Sequence, residues 1–204
     1  MNVQKNNKLG HKFGKDAGGQ MSQEEIEQRK EVYAHMGAAM SCAADLEMGL
    51  IHALLAVDFL SGYAEVIKRQ GFKPSDRPKW EKEFDSFFEK HQKLPMGELI
   101  KRFEKFAGAM PDLMRQLYNA LKTRNFLAHH FFREHAASIH NWDGREKMIA
   151  ELSDAQTLIW ETLNAVEEFV KPFRKKLRFD EAAIRRHVDA CIRAAEAGDA
   201  PPEF

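Results

Sequence analysis

Cysteine is scarce in this sequence, and so is any excess of charge. Cys42 and Cys191 are the only two cysteines and form no close pair. A disulfide framework and a cysteine zinc site are both unsupported, and a reducing cytoplasm is the expected compartment. Lys and Arg total 31 against 31 Asp and Glu, so no global field draws the chain to a polyanion. Any contact with nucleic acid must come from a local arrangement. Long apolar runs are missing too. The most apolar stretch, Leu46 to Leu60, carries Glu47, His52 and Asp58, short of the roughly 20 clean residues of a membrane span, and no membrane partner is expected. The opening MNVQKNNKLGHKFGKDAGGQ lacks the apolar core of a signal peptide. There is no glycine-rich phosphate loop, no strand to hold one, and no G-x-S-x-G elbow.

What is present is helical period nearly everywhere, in a chain of 204 residues with 44% hydrophobic content, enough for one core. The expected architecture is all-α: a bundle of four to five core helices plus a C-terminal helix. Residues 1–21 read as a flexible tail, 22–179 as the helical domain, 180–197 as an appended helix and 198–204 as a frayed end.

Ser22 and Glu25 form a capping box that opens a first helix. Its stripe runs Val32, Met36, Met40, Ala43, Glu47, Leu50, Leu54 and should fade near Gly62. Breakers between 70 and 79 precede helices over Trp80–Lys90 and Met96–Phe106, the latter apolar at Leu99, Ile100 and Phe103. The next helix should run from Asp112 to about Arg133, with Pro111 in its first turn. Residues 134–144 are ambiguous and end on a turn signal, Asp143-Gly144. A further helix from Arg145 either continues through Ser153 or restarts there, because Ser153 and Gln156 repeat the capping-box pattern. Pro172 should kink or end it, Asp180 should cap the final helix, and Gly198 should stop it.

Chemistry concentrates at Arg124-Asn125-Phe126-Leu127-Ala128-His129. Leu113, Leu117 and Leu121 are each four apart, and the next two members of that series are Asn125 and His129. An apolar stripe thus turns polar midway, which places the site at a packed seam, expected between two subunits. Buried polar groups need partners, so Asn125 and His129 either pin a helical register or do chemistry. Arg124 beside them adds a phosphate ligand to a group that can move a proton.

Arg124-Asn125-x-x-x-His129, set in Leu121-Lys122-x-Arg124-Asn125-x-Leu127-Ala128-His129-His130-Phe131-Phe132, resembles the R-x(4–6)-H signature of the higher eukaryotes and prokaryotes nucleotide-binding (HEPN) superfamily. Met96-Gly97-x-Leu99-Ile100 resembles the short helix before that motif, and Gly144-Arg145-x-x-Met148-Ile149-Ala150-Glu151-Leu152 the helix after it. The resemblance implies a helical bundle that pairs as a homodimer across two motifs. It also implies metal-independent RNA cleavage without a cofactor, in a toxin or antiphage-defence setting with a cognate antitoxin or defence partner. In that reading His129 is the general acid or base, Arg124 binds the phosphate, and Asn125 orients one of them. The family also holds catalytically silent modules for assembly or RNA binding.

Supporting residues follow. Glu47 either pairs with Arg124 across the bundle or is solvated. His130 contacts RNA or a partner subunit; its alternative pairing with Glu134 as a metal site lacks further ligands, and no metal is expected. Leu127 and Phe131 should be core, with Phe126 and Phe132 free for a dimer contact. Lys122, Arg133, Lys175 and Lys176 are candidate RNA-binding cations, the last two within a basic run (Arg174, Lys175, Lys176, Arg178) beside Asp180 and Glu181.

Overall fold

The computed structural model describes residues 21–71, 73–177 and 181–200. Within them the protein is all-α, with no strand. The first helix, α1 (Gln23–Leu54), begins at the expected capping box: Glu25 N–H donates to Ser22 Oγ and Ser22 N–H to Glu25 Oε2, each at 3.2 Å. Val32, Leu50 and Leu54 are fully buried and Ala43 nearly so.

The helix does not fade near Gly62. It passes through a wide π turn, Leu55–Leu60, straight into α2 (Ser61–Gln70). The Ser61 hydroxyl donates to the Ala56 carbonyl at 2.7 Å, giving the loosened backbone a partner, and the extra residue lets Ala56 and Val57 both turn inward. Gly62 is tolerated as one weak helical position. The stop comes at Gly71, whose φ of 74° is a glycine conformation. The resulting 48-residue rod contains an 18-residue window of mean hydropathy 1.6, long and apolar enough to cross a membrane. Glu47, His52 and Asp58 do not rule that out as the sequence reading supposed. In the fold, the apolar face of the rod packs into the bundle core.

A 3-10 turn, Pro74–Asp76, leads into α3 (Arg77–Gln92), followed by α4 (Met96–Ala107) and α5 (Pro111–His129). Leu99, Ile100 and Phe103 are buried as expected. The long α7 spans Trp142–Lys176. Cross-links give the directions. Gln28 meets Glu146, and His35 meets Gln156, so α1 and α7 run parallel. Glu47 meets Arg124, and the Tyr33 ring meets Phe132 just past the end of α5, so α5 runs antiparallel to α1. One core cluster joins α1, α4, α5 and α7 around Leu50, Phe103, Leu117 and Val166. A second lies at the other end, around Val32, Leu127, Phe131, Met148 and Leu152.

Two expectations about this half need correction. The motif helix ends at His129 instead of running to Arg133. His130 leaves the helical region (φ −127°, ψ −31°), and a short α6 (Phe131–Glu134) follows. That bend turns Phe131 fully inward. Asp143-Gly144 is not a turn but the first turn of α7, because Asn141 caps the helix by accepting the Gly144 N–H at 2.7 Å. Any Cβ at residue 144 would collide with the Ser138 carbonyl in the preceding 3-10 turn, Ser138–His140. Of the two alternatives left open at Ser153 the helix continues: α7 is unbroken there, and Gln156 donates to the His35 carbonyl at 3.2 Å. Pro172 does not end α7.

The last element, α8 (Glu181–Ala197), ends at Gly198 (φ 76°) with Gly198 N–H to Ala195 O at 3.2 Å and Asp199 N–H to Ala194 O at 2.8 Å. That paired pattern is a Schellman stop. The expected Asp180 cap, residues 1–20 of the tail and residues 201–204 lie outside the described residues.

Candidate functional site

The buried line along α5 and into α6 is Leu113, Leu117, Ala120, Leu127 and Phe131. Its steps of four, three, seven and four leave one vacant beat, and residue 124 fills it. Arg124, not Asn125, therefore occupies the seam against α1. Its Nη2 lies 3.3 Å from Glu47 Oε1, the two side chains being 31% and 29% exposed. Of the two alternatives for Glu47, the pair with Arg124 is the one formed, half-buried. Such a pair fixes a guanidinium more than it stabilises a fold.

Asn125 and His129 are exposed instead of packed. The reason is helical arithmetic. Each step of four overshoots a turn by about 40°, so a series built only from such steps drifts. From Leu113 to His129 the drift is about 160°, enough to carry the end of the series from core to solvent. The register-pin explanation loses its premise, since neither side chain lies inside the bundle. Asn125 Oδ1 accepts from Arg124 Nη1 at 3.3 Å. His129, the last residue of α5, meets the His130 ring at 6.3 Å between centroids and makes no hydrogen bond among the described residues. Its imidazole is open to a bound group.

Lys122 is exposed and seven residues from His129, which places both on one face about 10 Å apart. Arg133 Nη2 donates to His130 Nδ1 at 2.5 Å, so these two side chains form one unit just past the bend. Phe132 is 39% exposed and its ring lies tilted against Tyr33 of α1, itself 56% exposed, with 5.6 Å between centroids. Leu127 and Phe131 are core, as expected. Lys175 and Lys176 are not part of this group. They sit in the last turn of α7, about 26 Å of helix beyond Leu158, which shares a groove with Thr123 and Phe126. Lys176 instead lies over the Phe173 ring at 5.9 Å. No three His, Cys, Asp or Glu side chains converge as a metal site among the described residues.

The sequence reading missed Gln28 and Arg145. Arg145 is fully buried; its Nε donates to Gln28 Oε1 at 2.6 Å and its Nη1 to the Ile139 carbonyl at 3.0 Å. Gln28 in turn donates to Glu146 Oε1 at 2.7 Å and to the Trp142 carbonyl at 3.3 Å. Burial, then the neighbouring Arg29 charge, pull the Arg145 pKa down, with Glu25 opposing. An arginine in the first turn of a helix reads as surface, and no spacing signals otherwise.

A helical bundle carrying one half-buried arginine, an amide and an open histidine on a single helix is the class that fold and site define. No family model matches the chain, and no curated protein or solved structure matches it either.

Proposed function

We propose that the chain is a metal-independent endoribonuclease of the HEPN type, a cytoplasmic toxin or antiphage-defence effector that works as a homodimer and is restrained by a cognate antitoxin or defence partner. The observation that carries this reading is the Arg124 guanidinium fixed in the α1–α5 seam by Glu47 at 3.3 Å, on the same helix as the unbonded His129. Arg124 binds the scissile phosphate and offsets charge in the transition state. His129 takes the proton of the ribose 2′-OH, which attacks the adjacent phosphorus. The 5′ oxygen leaves and collects a proton, giving a 2′,3′-cyclic phosphate and a 5′-hydroxyl. DNA has no such nucleophile. Arg124 and His129 diverge by about 140° around α5, which favours a second copy completing each site, with the Tyr33–Phe132 rings at the contact.

Glu47→Gln tests the positioning. It should cost under about 1 kcal/mol of stability and lower cleavage about tenfold, as expected when a positioned group is released. Cyclic-phosphate ends on the RNA products identify the chemistry; 3′-hydroxyl ends would refute it. The same ion pair also favours a second reading, a silent assembly module in which Glu47 simply neutralises Arg124. That module would cut no RNA, and Phe132→Asp would abolish its assembly.

A further inference from the structure

Two buried side-chain nitrogens among the described residues have no hydrogen-bond partner: Arg145 Nη2 and Arg29 Nε. Arg145 is fully buried, and Arg29 lies one helical turn past Glu25 on α1. No carboxylate within ion-pair reach of either guanidinium is found among the described residues, and neither has a further partner. The acidic groups nearby are Glu25, whose charge is felt at Arg145, and Glu146, already engaged by Gln28. Arg29 Nη2 donates to Nδ1 of His140 at 3.4 Å; the two unpartnered nitrogens are themselves shielded from solvent, with His140 the exposed side chain at the edge of the cluster. The N-terminus of the 35-residue α7 points its dipole into the same corner. Buried cations are ordinarily paired, and an unpaired one is costly.

We propose that Arg29, Arg145 and His140 form an oxyanion site that takes a phosphate group, either free orthophosphate or the terminal phosphate of a nucleic-acid chain. The group enters past His140. Arg29 supplies Nε, Arg145 supplies Nη2, and the α7 dipole adds to their field. The site lies 18 residues along α1 from Glu47, about 27 Å from the Arg124 pair, so it stands whether or not that pair cuts RNA.

The test is thermal unfolding of the full chain in orthophosphate and in chloride at equal ionic strength. Phosphate should raise the wild-type melting temperature saturably, by about 2–4 °C for a millimolar site. The rise should vanish in Arg29→Met, shrink in His140→Ala, and persist in Arg69→Met, a remote exposed control. Arg145 is not substituted here because its loss would disturb folding. Binding to the folded wild type is read independently by broadening of the orthophosphate ³¹P resonance. A 5′-phosphorylated DNA oligomer, which cannot be cut by 2′-OH attack, is compared with its 5′-hydroxyl twin. An Arg29-dependent gain from the phosphorylated oligomer identifies a chain terminus as the source, and a gain from orthophosphate alone identifies the free anion. A non-saturating rise shared equally by wild type and Arg29→Met would be exclusion of a kosmotropic salt and would overturn the site, as would no rise and no broadening.

Discussion

Arg124 and His129 differ in setting on one helix. The first is held half-buried against Glu47; the second is exposed at the helix end. The neighbouring phenylalanines divide in the same way. Phe131 is fully buried and Phe132 is 39% exposed. Phe131→Ala should therefore cost about 3–5 kcal/mol in urea unfolding, while Phe132→Ala should cost under about 1 kcal/mol and act on self-association. Equal losses would refute the placement. The residue types were legible from the sequence, and so were the core roles of Leu127 and Phe131, whereas for Glu47 the sequence left pairing with Arg124 and solvation both open. The burial of Asn125 and His129 was misread, because steps of four alone overlook the drift that alternating steps of three and four cancel. Arg145 was illegible, since nothing local distinguishes a fully buried arginine from a solvated one.

At the scale of elements, two glycines show why the helices sit where they do. A Cβ at Gly144 would strike the Ser138 backbone carbonyl, whereas one at Gly49 would meet the tip of the Leu163 side chain, which can move. Gly144→Ala should destabilise by about 1–3 kcal/mol and Gly49→Ala by clearly less, as read from urea midpoints. The reverse order would mean that α7 starts differently from the structure. Most helices were readable because capping and periodicity act locally: the box at Ser22 and the stop at Gly198 both formed. The elements misjudged were those decided by tertiary demand. The π turn exists to bury Ala56 and Val57. The break at His130 turns Phe131 inward.

Across the whole molecule, charge balance and the setting of His52 shape the response to solution conditions. The protein around His52 pushes its pKa below the usual histidine value; Arg174 acts in the same direction and Glu167 against it. Arg174 is itself engaged by Glu167. The unfolded chain therefore takes up a proton at His52 as pH falls below about 6.5, before the folded chain does. Stability should decline through that window and level off below the folded pKa. His52→Leu should flatten that part of the profile in urea midpoints between about pH 7.5 and pH 5; a parallel displacement at all pH values would contradict it. With 31 charges of each sign, affinity for RNA should depend on a few local phosphate contacts and so weaken only modestly with salt.

The central claim is that Arg124, Asn125 and His129 cut RNA without a metal. Its most direct test is cleavage of an RNA by the purified protein in EDTA, wild type beside His129→Ala of equal thermal stability. The account predicts cleavage by wild type and a loss of at least about 100-fold in the variant, the scale of a general acid–base group. Cleavage undiminished in His129→Ala, or wild-type cleavage abolished by EDTA and restored by a divalent cation, would contradict it.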